Sequence, residues 1–160
     1  MRTCLLALIF IALAQTAAAD NLEGRWKLLA AEDVRDNGEV VRHPWGDHPV
    51  GSIVVQDGWL YLQIMSSDTP SFATGKPLAD QMKAMLTSSY IAYAGPVEID
   101  SAAGSVAFKV EAAWRPDYVG TNQHRIFHFE NGKLIFGTEP NLARGGSDRV
   151  RRRLTLERVP

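Results

Sequence analysis

From residue 24 onward, apolar and polar side chains alternate in short runs separated by turn residues, the two-residue period of strands with one buried face. Residues 24–34 form the first run, and Asp36-Asn37-Gly38 turns the chain toward 39–42. Runs 52–56 and 59–66 flank Asp57-Gly58, a two-residue hairpin signal. Further runs follow at 90–100, 105–113, 123–130, 133–138 and 149–159, with a second hairpin signal at Asn131-Gly132. One stretch breaks the period. In 77–86, Leu78, Met82, Met85 and Leu86 recur at helical spacing behind Pro77, a residue the first helical turn accepts.

This pattern predicts an all-β fold, an antiparallel barrel or sandwich of about eight strands with one short helix between strands. A sheet of that width with free edges invites aggregation. Closing it removes the edges and leaves an interior that can hold a small ligand. Alternation puts Gln123, Arg125 and Phe127 on one strand face, whereas run 59–66 is apolar on both, with Trp59, Tyr61 and Met65 opposite Leu60, Leu62 and Ile64. Parity alone does not choose which of those two faces lines the interior.

The amino terminus stands outside this pattern. Arg2, an apolar run over 5–14 too short to span a bilayer, and Ala17-Ala18-Ala19 read as a secretory signal cleaved after Ala19. Residues 20–160 are then one barrel domain in the periplasm or secreted, with no stable membrane insertion after removal of the signal. Cys4, the single cysteine of 160 residues, leaves with the signal, so no disulfide is expected. The 17 basic and 18 acidic residues nearly cancel, and nothing in that balance points to nucleic acid.

Chemical motifs are sparse. The stretch 42–51, RHPWGDHPVG, offers His43, Asp47 and His48, three metal ligands only if the loop folds back tightly, whereas a closed zinc site takes four. His124 and His128 share a strand face but stand roughly 13 Å apart at strand rise. A rim loop with Trp45 packed or partly exposed is the stronger reading, and no metal is expected. The serines and threonines at 66–68 and 87–89 lack a Gly-x-Ser-x-Gly context, and there is no dinucleotide fingerprint, so no cofactor is expected either.

Gly24-Arg25-Trp26 near the start of the first run, with arginines on the last, resembles the lipocalin signature, in which an arginine packs over the tryptophan to seal one barrel end. The succession of Pro49-Val50-Gly51, Pro70-Ser71-Phe72, Tyr90-Ile91-Ala92-Tyr93 with Gly95, Gly120-Thr121-Asn122-Gln123 with Arg125, and Arg153-Leu154 through Glu157-Arg158-Val159 is similar to the bacterial lipocalin-like domain family over nearly the whole mature chain. Phe108 stands where relatives often carry a histidine, and Pro96-Val97 replaces a more aromatic stretch; both make the cavity less polar. The sealing arginine is expected to be Arg152 by strand parity or Arg153 by the resemblance, closing the barrel with Gly24 and Trp26.

The resemblance implies a cavity for a small hydrophobic ligand carrying an anionic or carbonyl group. Tyr61, Met65, Tyr90, Tyr93, Trp114, Gln123, Arg125 and Phe127 are the candidate ligand-binding residues. An interior Arg125 is costly unless paired: it either receives a ligand oxygen or is braced by Glu111 or backbone carbonyls. Two functions follow, a secreted or periplasmic binding protein and, as the alternative, a cofactor-free isomerase or cyclase in which Tyr90, Tyr93 and Arg125 polarise a carbonyl. A barrel filled by its own side chains, acting as an interaction module, is a third.

Overall fold

The computed structural model describes residues 21–142 and 149–160. The leader assigned to 1–19 lies outside the described residues. Eight long strands carry the fold: β1 (Gly24–Arg35), β3 (Val50–Gln56), β4 (Trp59–Met65), β5 (Tyr90–Asp100), β6 (Ser105–Lys109), β8 (Asn122–Glu130), β9 (Lys133–Gly137) and β11 (Arg149–Val159). Three short strands, β2 (Val40–Arg42), β7 (Ala112–Ala113) and β10 (Asn141–Leu142), extend them, and the helix α1 (Leu78–Ser88) joins β4 to β5.

All pairings are antiparallel, in the order β11-β9-β8-β6-β5-β4-β3-β1. The ring closes where β1 pairs back onto β11 over their full lengths, from Arg25 opposite Val159 to Arg35 opposite Val150. The chain is therefore a closed eight-stranded barrel, the first of the two architectures that the alternation allows. Both hairpin signals hold for a local reason. Asp57 and Gly58 have φ of 52° and 75°, Asn131 and Gly132 of 51° and 73°, the left-handed pair whose twist matches that of the flanking strands.

Register decides what alternation leaves open. On β4 the inward residues are Leu60, Leu62 and Ile64, each nearly inaccessible, while Tyr61 and Met65 are turned outward and exposed. The run 105–113 is split: Val110 donates its N–H to Thr121 O and Glu111 donates to Ala94 O, so β6 ends at a kink and β7 resumes along β5. The inner faces merge into one apolar core that includes Trp26, Val55, Leu60, Phe127, Phe136 and Leu156. The helix lies where its spacing predicts, yet none of its residues is buried, and Leu78 and Met82 face solvent. No helix among the described residues is long and apolar enough to cross a membrane.

Candidate ligand-binding site at the open end of the barrel

The tight turns at 57–58, 101–104 and 131–132 gather at the end where β1 begins, and this end is shut. Trp26 is buried against Phe129, ring centroids 5.7 Å apart, and its Nε1 donates to Leu22 O at 2.8 Å. The guanidinium over its ring is that of Arg158, 4.3 Å from the centroid, donating to the carbonyls of Glu23 and Asn21. Gly24 makes this possible. Its φ is +119°, and a Cβ there would stand 2.8 Å from an Arg158 nitrogen. The expectation that Arg152 or Arg153 seals the barrel is thus corrected: Trp26 pairs in register with Arg158, six positions after Arg152 on the same face.

Arg152 serves the opposite end. It donates through Nε and Nη2 to the two oxygens of Asp33, at 2.7 and 3.1 Å, and its guanidinium lies 4.7 Å over the ring of Trp45. Arg42 donates to the same carboxylate from Nε at 2.8 Å and from Nη2. Burial would raise the Asp33 carboxyl, but the hydrogen bonds and charges of Arg152 and Arg42 outweigh it and hold it below the usual carboxylate range. Arg153 pairs instead with Glu32, at 2.8 Å. The rim segment 43–49 is thus anchored by Trp45, which is buried, while His43 and Asp47 form only an exposed pair 4.0 Å apart.

Beside this latch lies the cluster that carries recognisable ligand chemistry. Tyr93, from β5, is buried and stacks on Phe108 of β6 with centroids 5.4 Å apart. Trp114 and Tyr118, on the segment after β7, pack together at 4.3 Å and against Tyr93. Arg125, half-buried on the inner face of β8, reaches into this group. Its Nη2 donates to Gln123 Oε1 at 3.0 Å and to Tyr93 Oη at 3.4 Å, Nη1 donates to its neighbour's carbonyl, His124 O, and the guanidinium stands 5.8 Å from the Phe108 centroid. Gln123 is held in turn by donating to Thr121 Oγ1 at 2.9 Å. No carboxylate among the described residues forms an ion pair with Arg125; of the two braces considered, Glu111 is not engaged and a backbone carbonyl, His124 O, is.

The candidate residues therefore divide. Tyr93, Gln123, Arg125 and Phe127 share the interior, Phe127 deeper in the core than the other three. Tyr61, Met65 and Tyr90 do not join them. By register they stand on the outer face of β4 and β5, where Met65 pairs with Tyr90 and Tyr61 with Ala94. Trp114 sits at the boundary, packed on Tyr93 and donating Nε1 to Leu86 O at 3.1 Å, which pins α1 to the rim. Trp45 on the rim, Phe108 in the cavity and Tyr118 beside Trp114 stand where the sequence suggested, whereas Asp33 and Arg158 are residues that sequence reading did not single out. Alternation from Trp26 and Leu28 would turn Asp33 outward, and the bulge between Leu28 and Ala30 turns it in.

A family model described as a lipocalin-like domain matches residues 23–159. No curated protein and no solved structure matches the chain.

Proposed function

Because the chain belongs to the lipocalin-like domain family, we propose that it binds a small, largely apolar molecule at the open end of its barrel, with Arg125 holding a carboxylate, enolate or carbonyl oxygen of that molecule. The observation that carries this reading is a guanidinium on the inner face of the barrel whose hydrogen bonds, among the described residues, all go to neutral oxygens. A half-buried cation so placed gains from an anionic partner, and the planar fork of arginine suits a carboxylate's two oxygens. Tyr93 Oη accepts from Arg125, leaving its own hydrogen free to donate to the same ligand oxygen. Phe108, Trp114 and Tyr118 supply the apolar wall, in keeping with sites that are mostly apolar with a few convergent polar groups. The deeper barrel is occupied by core side chains, so the ligand sits at the mouth.

The test is a titration, followed by tryptophan fluorescence, with an aryl carboxylate and with its methyl ester. Arg125→Ala lowers the affinity for the carboxylate about tenfold or more and leaves that for the ester nearly unchanged. Equal loss for both, or no saturable response to either, overturns the reading.

A second reading rests on the closeness of two donors, Arg125 Nη2 and Tyr93 Oη, 3.4 Å apart. Two donors converging on a carbonyl oxygen stabilise enolate character, which would make the chain a cofactor-free isomerase or cyclase of a hydrophobic substrate. Tyr90, on the outer face, takes no part in that arrangement. Turnover that survives both Tyr93→Phe and Arg125→Ala would rule it out. The location outside the cytoplasm rests on the sequence of residues 1–19 alone; a mature amino terminus at Asp20, read by protein sequencing, is the expected result.

A further inference from the structure

The outer wall of the barrel holds an open groove of about 570 Å³ across β3, β4, β5 and β7. Most of its side chains have the opposite parity to those of the mouth, and it borders the mouth at Tyr93 and Trp114. Ser52 pairs with Gln63, which pairs with Ala92; Val54 pairs with Tyr61, which pairs with Ala94, and Ala94 with Ala112. The inward neighbours of these rows, Ile53, Leu62 and Tyr93, belong to the core. Alanines at 92, 94 and 112 make a shallow floor on which a flat molecule can lie close to the sheet. Tyr61, Tyr90 and Trp114 rise around it.

Two of these walls are preset. Trp114 is fixed by its hydrogen bond to Leu86 O, and Tyr61 is stacked on Trp59 with centroids 6.0 Å apart and planes inclined by 24°. Rings held before binding lose little freedom on binding. Among the described residues no charged side chain lines the groove; its polar groups are the Gln63 amide and the hydroxyls of Ser52 and the lining tyrosines. An ion would therefore be desolvated without a charged partner, whereas a neutral ring system with a hydrogen-bonding substituent is matched by stacking walls, one amide and a few hydroxyls. Size separates the possible occupants. The volume falls in the range of small-molecule sites, about 300–1,000 Å³, while the twelve lining residues fall short of the about 20–30 that one side of a stable dimer interface needs.

We propose that this outer groove is a second binding site, for a neutral planar aromatic molecule, one that makes no use of the Arg125 guanidinium. The experiment uses 1-naphthol, uncharged at pH 7, and follows the backbone amides of the labelled protein by heteronuclear NMR. Amides of Tyr61, Gln63, Ala92 and Ala112 shift saturably. Ala94→Phe, which fills the floor from an outward position, lowers the affinity about tenfold or more, and the exposed Tyr61→Ser does so in a second, structurally mild way. Arg125→Ala leaves the affinity unchanged within about twofold, so this proposal and that for the mouth stand or fall separately. Shifts confined to Phe108, Gln123 and Arg125, full binding in both groove variants, or groove amides that move with protein concentration alone, the mark of a second copy, would each overturn it.

Discussion

Each end of the barrel is built on a guanidinium lying over an indole, Arg158 on Trp26 at one end and Arg152 on Trp45 at the other, yet the two ends do different work. At the shut end the cation is satisfied by peptide carbonyls of the adjoining chain, and the indole by Leu22 O. Those partners are neutral and supplied by the segment that closes the end, so nothing is left over for a ligand. At the open end the partner of Arg152 is a buried carboxylate that Arg42 shares, and Arg125 on β8 has, among the described residues, neutral partners only. Two guanidiniums thus share one carboxylate, Asp33, while Arg125 has, among the described residues, no carboxylate of its own. The same pair of residue types makes a plug where its hydrogen bonds are saturated locally, and borders a receptive site where positive charge remains in excess.

Substitutions at the two ends sharpen this contrast. Trp26→Ala removes a fully buried ring from a site that cannot collapse and costs about 3–5 kcal/mol of stability in chemical denaturation. Trp45→Ala, on a rim segment free to close in, costs less, about 2–3 kcal/mol; equal losses would mean that the open end is as much a structural plug as the shut one. Asp33→Asn strands the half-buried Arg152 and costs about 2 kcal/mol, discounted because Arg42 is largely in solvent.

Acid probes the same carboxylate. Its folded pKa is depressed, so its contribution to stability is fully present above the ordinary carboxylate value of about 4 and is lost as pH falls through the lower folded value. In pH-dependent denaturation the wild type therefore loses stability relative to Asp33→Asn only below about pH 4. A difference that instead vanished between about pH 5 and 7 would contradict the depressed value.

Arg158→Ala costs about 1–2 kcal/mol, from the cation–π contact and the bonds to carbonyls, and Arg158→Lys recovers part of it. Arg125→Ala has the smallest effect, within about 0.5 kcal/mol, because its lost hydrogen bonds and long cation–π contact are offset by removing a half-buried cation that has no carboxylate partner among the described residues. A large loss there would make Arg125 a brace of the barrel.

Features carried by neighbours in the chain were legible in advance. The two hairpins, the helix and the strand alternation all depend on residues a few positions apart, and the closed antiparallel barrel follows from burying one face of many such strands. What failed to read through is non-local. Parity makes Arg152 and Arg158 equivalent positions of one face of β11, and only the pairing of β1 with β11 assigns one to Asp33 and the other to Trp26. The bulge between Leu28 and Ala30 shifts that register, which no alternation rule applied to β11 alone detects. Likewise Tyr61 and Tyr93 are the same residue type on adjacent strands; pairing sends one outward and the other in.

Taken by itself, the order of residues determined the strands, their turns and the presence of an arginine among aromatic side chains, because propensity, period and turn geometry act over short spans of chain. The folded barrel decided which arginine seals, which receives and which aromatics share a cavity. Those outcomes depend on distances between strands far apart in sequence, and such distances exist only once the ring has closed.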